Sequence, residues 1–456
     1  MNLSKRFHAA FTIVSLFLVL LLLLMICPYG PTPDGEGMGW MSINRYVPSI
    51  ESERVTSWYS SLFMYECIGL KHFGSYVLGR DLSALSVLYI VWVGMTMAML
   101  ISIICIMRSI TKCGWWWLIA GPLCVLLSFK HVGDFFPVNL DYNFMCLMWC
   151  LVAAMIVGLQ SRSLLSQSGN IVLILFLLMH LIAYRRNFVL TVPFVTVCLF
   201  CTMRWFKRLR LCRKLVIWCI GTAGFTFFSL IWVDAVFPVE KSHPLIPMLE
   251  SDMRIASILR GEENPIVKNG IRAVKGDPAE SCISAYWYRI PEERWNEFRS
   301  LYVKEWKEHP ETMFAASIIQ RIQFYSGGHS FPFLKDAVEA RFPAVRRNEN
   351  AWNTIAPTVQ SPLKRLFWLC MAPICVVLGF VCRRREIVSP EICAAVIIAG
   401  SLSTLYSLSY LVVTPTPDAR YLAPSYMFAL FSASALVFAM LELLCKGAFA
   451  RLREKS

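Results

Sequence analysis

Charge is scarce in this chain. Only 16% of its 456 residues are Asp, Glu, Lys or Arg, against 57% hydrophobic, and the mean hydropathy is +0.54. That balance excludes a soluble globular protein, which has nowhere to hide so much apolar surface, and several runs reach membrane-spanning length. Acids are scarcer still than bases, 30 against 44. The cations fall at the ends of apolar runs, so the net charge of +14 is a topology signal and no nucleic-acid partner is implied. A Walker loop, a dinucleotide fingerprint, an HExxH helix and a serine elbow are all missing from the contexts that would give them meaning. No cysteine–histidine spacing marks a metal site, and there is no internal repeat or low-complexity tract. The apolar runs hold almost no ionisable group: Asp234 and His180 sit near outer ends and Glu442 near an inner end. Ion-coupled transporters place such groups at mid-membrane, so their scarcity argues against that class.

What is present is a series of ten apolar runs: 11–27, 85–107, 114–129, 143–159, 171–184, 188–203, 215–237, 366–382, 392–412 and 421–445. These predict an all-α polytopic membrane protein with about ten transmembrane helices. About 20 residues are needed to cross about 30 Å of hydrocarbon, and the third to sixth runs are short by that measure. They start earlier than drawn, meet a thin bilayer, or end in a water-filled cavity. The first run follows Lys5 and Arg6 and is succeeded by Pro28-Tyr29-Gly30-Pro31 instead of a small-residue cleavage site, which predicts a retained helix. With both termini cytoplasmic, inner segments carry 18 cations and outer ones 8, leaving aside segment 238–365. That bias fits a membrane crossed many times with both termini inside. Segment 238–365 carries 18 cations and 16 acids, and 292–307 and 310–325 have helical periodicity, which predicts a largely helical extracytoplasmic domain. The expected organisation is thus an N-terminal membrane region 1–237 with outer loop 28–84, the domain 238–365, and a C-terminal membrane region 366–456. Most of the 17 cysteines lie in apolar runs as packing residues. Cys67 and Cys282 lie well inside outer segments, where a bond between them is open.

Polar candidates gather on the outer side. Arg185 and Arg186, followed by Asn187, interrupt two apolar runs where the charge bias says cations should be few. Guanidinium groups bind phosphate in a forked geometry and stay charged in a dry setting; the plainer reading is a pair snorkelling to headgroups or paired with Asp234. Asp34 and Glu36, in a Gly/Pro-rich turn after the first run, suit a general base or a divalent-cation ligand, or a solvated turn. Asp134 and Asp141 lie in the short segment after the third run, where Asp141 serves equally as a helix cap. Arg420 and Tyr421 open the last run, either facing an outer cavity or anchoring the interface. His309 precedes Pro310 between two helical stretches, a place where substrate binding competes with ordinary punctuation.

Four of these patterns carry a resemblance. The acidic segment after the first span, Arg185-Arg186-Asn187, Trp306 with His309-Pro310, and Arg420-Tyr421-Leu422-Ala423-Pro424 are together similar to integral membrane glycosyltransferases of the GT-C type. These include bacterial surface-polysaccharide and O-antigen enzymes using polyprenyl-phosphate sugars. One departure stands out. Met41-Ser42-Ile43-Asn44 and Trp58-Tyr59-Ser60-Ser61 occupy places where related chains carry an acid and a His-Pro pair. That leaves Asp34 or Glu36 to supply the carboxylate, or an activity altered or lost. The resemblance implies that a carboxylate (Asp34, Glu36 or Asp141) deprotonates the hydroxyl of a lipid-linked glycan acceptor. The oxygen attacks the anomeric carbon of a polyprenyl-phosphate sugar with inversion while Arg185, Arg186 and Arg420 stabilise the phosphate. A divalent cation is compatible with this but not required. The competing expectations are a polysaccharide polymerase or ligase, a flippase or transporter for a lipid-linked sugar, and a non-catalytic assembly partner.

Overall fold

The computed structural model describes residues 46–53, 61–110, 140–160, 164–193, 231, 246–271, 290, 292–326, 332–347, 362–411 and 422–454. Among them all regular structure is helical and no strand occurs. Among the described residues three helices are long and apolar enough to cross a membrane: Ala84–Ile106, Pro390–Ser409 and Pro424–Leu441. Two more, Tyr142–Val157 and Val172–Tyr184, are apolar but short. The expected spans 11–27 and 114–129, residues 194–203 of the span 188–203, and all of 215–237 but Ile231 lie outside the described residues. The chain divides into two compact units: 1–240 with 369–406 and 420–456, and 241–368 with 407–419.

In the first unit, the segment expected as loop 28–84 contains a full helix, α1 (Ser61–Leu78), so its later half is not a loop. Gly79 at φ +62° ends α1, and the Ser83 hydroxyl accepts the Ser86 N–H as α2 (Ala84–Ile110) begins. Next come α3 (Leu140–Gln160) and α4 (Leu164–Tyr184), the latter reaching seven residues further back than the apolar run alone suggests. The α2–α3 seam is fixed by three contacts. Thr96 Oγ1 and Tyr142 Oη share a hydrogen bond of 2.8 Å, Cys146 Sγ lies 3.9 Å from Met99 Sδ, and Ser102 Oγ donates to Cys150 Sγ at 3.3 Å. Both residue numbers rise along this seam, so the two helices run parallel.

The second unit is built on amphipathic helices. They are α5 (Ile246–Arg260), the short α6 (Pro265–Lys268), α7 (Trp295–Glu308), α8 (Pro310–Ser326), α9 (Pro332–Arg341) and α10 (Pro343–Arg347). Met253, Ala256 and Leu259 form the stripe of α5, spaced three residues apart, and pack with Phe298 of α7 and Met313, Ala316 and Ile319 of α8. Gly261 at φ +73° stops α5, with the Glu262 N–H reaching back to the Ser257 carbonyl.

The first unit resumes with α11 (Pro362–Arg384, whose last sixteen residues belong to it), α12 (Pro390–Ser409) and α13 (Ala423–Glu454). α11 and α12 approach backbone to backbone: a Cβ on Gly400 would lie 2.8 Å from Val376 and 3.1 Å from the Ala372 carbonyl. Hydroxyls stitch α12 to α13, Ser403 donating to the Ser425 carbonyl at 2.6 Å and Ser432 to that of Val396 at 3.3 Å. Small residues and interhelical hydroxyls suit helix association in lipid, where apolar side chains gain little by leaving it. Trp149 of α3 packs between Phe428 and Phe431 of α13.

Candidate functional site

The most concentrated polar constellation in the first unit joins α1 to the end of α4. Glu66 lies one turn into α1, buried Phe63 beside it, and Phe63 packs edge-on against Tyr184 at 5.6 Å. His180 Nε2 lies 2.8 Å from Glu66 Oε1, and Tyr184 Oη donates to Glu66 Oε2 at 2.5 Å. Both carboxylate oxygens are thereby engaged. The side chain of His180 is 9% exposed and that of Glu66 35%, so the acid alone opens outward.

The tautomer follows from the partners. His180 Nδ1 lies 2.8 Å from the Phe176 carbonyl, one turn back on its own helix. A carbonyl only accepts, so Nδ1 carries hydrogen. Nε2 then faces Glu66 Oε1 across 2.8 Å, where two bare lone pairs would repel. One further proton therefore sits between them, making the pair either imidazolium and carboxylate or imidazole and carboxylic acid. In both cases its net charge is zero.

Immediately beyond Tyr184 the helix breaks. Arg185 is extended, at φ −141° and ψ 98°, and residues Arg186–Leu190 form a 3-10 turn. The Arg185 N–H still donates to Leu181 O at 2.9 Å, while its own carbonyl accepts the Phe188 N–H. Arg185 Nε and Nη2 are buried within the protein. Phe188 is fully buried against Phe144 of α3 at 5.6 Å and Tyr406 of α12 at 6.2 Å, which pins the turn to the start of α3.

The expected site residues divide accordingly. Arg185, Arg186 and Asn187 lie on this turn, and Asp141 is on the first turn of α3, one turn before Phe144, at the same end of the unit. Asp34, Glu36, Asp134, Arg420 and Tyr421 lie outside the described residues. His309 belongs to the second unit and ends α7. Its N–H donates to Glu305 O at 2.8 Å and its carbonyl accepts from Met313 N and Thr312 Oγ1, each at 3.1 Å, so its backbone does the work of helix punctuation. Cys67 is a free thiol, fully buried on α1 beside Glu66, and Cys282 lies outside the described residues. Among the described residues no group of three His, Cys, Asp or Glu is set to hold a metal ion.

Glu66 escaped the sequence reading. It was one of six acids in segment 28–84, and its partners lie 114 and 118 residues away. The available signal was the pair His180 and Tyr184, four apart on one face of an otherwise apolar helix, which calls for a polar partner from another element.

The second unit holds its own buried charges. Arg260 Nη2 donates to Glu305 Oε2 at 2.8 Å with both side chains near 10% exposure, and Nη1 donates to Thr312 at 3.1 Å. Asp252 is buried and accepts from Tyr302 Oη at 3.2 Å. Burial pushes its carboxyl up to about 6, against the opposing pull of Arg321, Tyr302 and Ser317. Arg321 Nε donates to the Leu411 carbonyl at 2.9 Å and Tyr325 Oη to that of Ser407 at 2.8 Å, both acceptors lying in segment 407–419 of this same unit.

Compared with known proteins, the chain matches no family model, no curated protein and no solved structure.

Proposed function

We propose that this chain is a membrane glycosyltransferase. It moves a sugar from a polyprenyl-phosphate donor to a surface-glycan or lipid-linked acceptor on the outer face of the bacterial inner membrane, with both termini cytoplasmic. The observation that carries the reading is the succession Glu66–His180–Tyr184–Arg185, an acid–base pair followed within one residue of Tyr184 by a guanidinium at a helix break. Glycosyl transfer from a lipid phosphate needs a group that handles the acceptor proton and a cation that stabilises the departing phosphate, and this end of the helix supplies both types. Arg185, with Arg186 and Asn187 on the same turn, takes the phosphate role. Asp141 stands at the same end as a further carboxylate. Membrane lipids surround the exposed apolar faces, such as that bearing Leu85, Tyr89 and Ile90.

The test is a strain lacking this chain, complemented with the wild type or with Arg185→Ala or Arg185→Lys, and its surface glycans profiled. Loss of one sugar from the glycan with Arg185→Ala supports the reading, and an unchanged glycan sinks it. Altered chain length or attachment instead of a missing sugar transfers the assignment to a polymerase or ligase.

The ionisable pair between α1 and α4 also favours a second reading, a flippase for a lipid-linked sugar driven by protons. Reconstituted vesicles decide: proton uptake coupled to lipid-linked sugar movement, without a new glycosidic bond, belongs to the flippase.

A further inference from the structure

The α2–α3 seam gives the site a depth. Twelve residues separate Ala84 from Thr96, whereas two separate Leu140 from Tyr142, which pairs with Thr96. At a rise of about 1.5 Å per residue, α3 begins about 15 Å further along the shared direction than α2. The Phe144–Phe188 contact sets the Arg185–Leu190 turn level with the first turn of α3. Glu66, His180 and Tyr184 lie within a turn of it. The overhanging part of α2 is apolar and outward-facing at Leu85, Tyr89 and Ile90, as is the end of α1 at Phe73, Tyr76 and Val77. These apolar positions suit lipid, while His72 on the same stretch of α1, exposed and paired with Glu53 at 3.2 Å, suits water, so the pair lies about 15 Å below the start of α2 beside a wetted face. A helix break at such depth is tolerated where it lines protein or a water-filled cavity. The short apolar helices Tyr142–Val157 and Val172–Tyr184 are then the floor of a recess.

The turn already holds the buried guanidinium of Arg185, and a neutral pair sharing one proton adds no further charge to it. We infer that Glu66 and His180 are the proton-handling pair of this recess, and that they act as a shuttle, not as a simple base. The inference rests on the glycosyl-transfer reading. The anomeric carbon–oxygen bond to phosphate breaks, its electron pair leaves on the phosphate oxygen, and the shared proton of the pair passes to that oxygen. The acceptor hydroxyl forms the new bond to the anomeric carbon with its oxygen electrons and releases its proton to the vacated pair. One proton is given and one regained, so the pair ends as it began. Tyr184 is a positioning residue that holds Oε2, Cys67 is the other titratable neighbour, Arg185 follows Tyr184 in the chain, and the 35% exposure of Glu66 marks the side from which substrate arrives.

Two measurements test this on the full chain. In purified protein with 15N-labelled histidine, the expected result is His180 with both nitrogens protonated at neutral pH, or a protonated-carboxyl infrared band that Glu66→Gln removes. A neutral His180 with bare Nε2 and no such band overturns the inference, and the histidine protonation is read on the wild type alone. In the complemented strain, Glu66→Gln and His180→Gln are each expected to lower transfer about 100-fold or more. The exchange Glu66→His with His180→Glu, which rebuilds a one-proton pair, should recover part of it. If Arg185→Ala abolishes transfer while Glu66→Gln preserves it, the shuttle falls and the transferase reading stands. If both variants leave the glycan normal, the transferase reading falls as well.

Discussion

Glu66 and Glu305 are both acids held within helical packing, one in each compact unit, and their partners differ in kind. Glu305 meets the guanidinium of Arg260, a permanent charge that only another charge balances. Glu66 meets an imidazole and a phenol, groups whose protons can move. The first arrangement is a fastening. The second keeps a proton inside apolar helices at zero net charge, an arrangement suited to chemistry. Elsewhere the units diverge in the same sense: the first is joined by hydroxyls, thiols and glycines, the second by an apolar core with ion pairs around it.

The contrast is sharpest under the same substitution at each acid. Glu305→Gln removes the buried one of the two carboxylates on Arg260 and leaves only the exposed Glu262 as counter-charge, and the expected loss is about 2–3 kcal/mol of unfolding free energy. It is read from the second unit's transition in denaturant melts of the full chain in detergent. A loss below that of an ordinary surface change would break the comparison.

Asp252 gives the next effect, through pH. Its folded-state value, about 6, lies above the ordinary 3.8, so the folded protein favours the protonated form. The penalty for ionising it is absent below pH 4, grows as pH rises toward 6 and is complete above, at most about 3 kcal/mol. Asp252→Asn, which keeps an acceptor for Tyr302, is expected to stabilise the protein by about 1–3 kcal/mol above pH 6 and to flatten the stability profile between pH 4 and 6. An unchanged slope would show that Asp252 ionises freely.

Glu66→Gln should cost only about 1 kcal/mol or less, because the amide re-forms every bond: its oxygen accepts from Tyr184 and its NH2 donates to a bare His180 Nε2. Thermal midpoints of Glu66→Gln and Glu305→Gln, compared side by side, check this. A collapse of Glu66→Gln alone would make the membrane-unit acid the fastening. Smallest of all is Arg341→Gln, which removes an exposed pairing with Glu311, and no measurable shift in midpoint is expected.

How far the sequence could be read follows from the range of each interaction. Apolar run length is local, so α2, α12 and α13 stand where hydropathy puts them, and Arg185 was conspicuous because it broke a local trend. The early start of α4 was missed because Ser166, Gln167, Ser168 and Asn170 dilute its first turns without breaking the helix. α1 reads as loop in the sequence since its polar and aromatic residues alternate without a wide apolar stripe. Glu66 was illegible for a different reason: its role is set by residues more than a hundred positions away, and sequence spacing carries no trace of that meeting. The helix punctuation expected of His309-Pro310 is local and was legible, and the His309 backbone bonds supply it at the end of α7 and the start of α8.

The hydrogen bond from His180 Nδ1 to the Phe176 carbonyl has an evolutionary consequence. The acceptor is main chain, so no substitution at position 176 removes the carbonyl itself. Which imidazole nitrogen faces α1 is therefore inherited with the helix, out of reach of side-chain variation. What mutation can tune is the acid opposite, and divergence in this site is expected to run through position 66 while the histidine stays as it is.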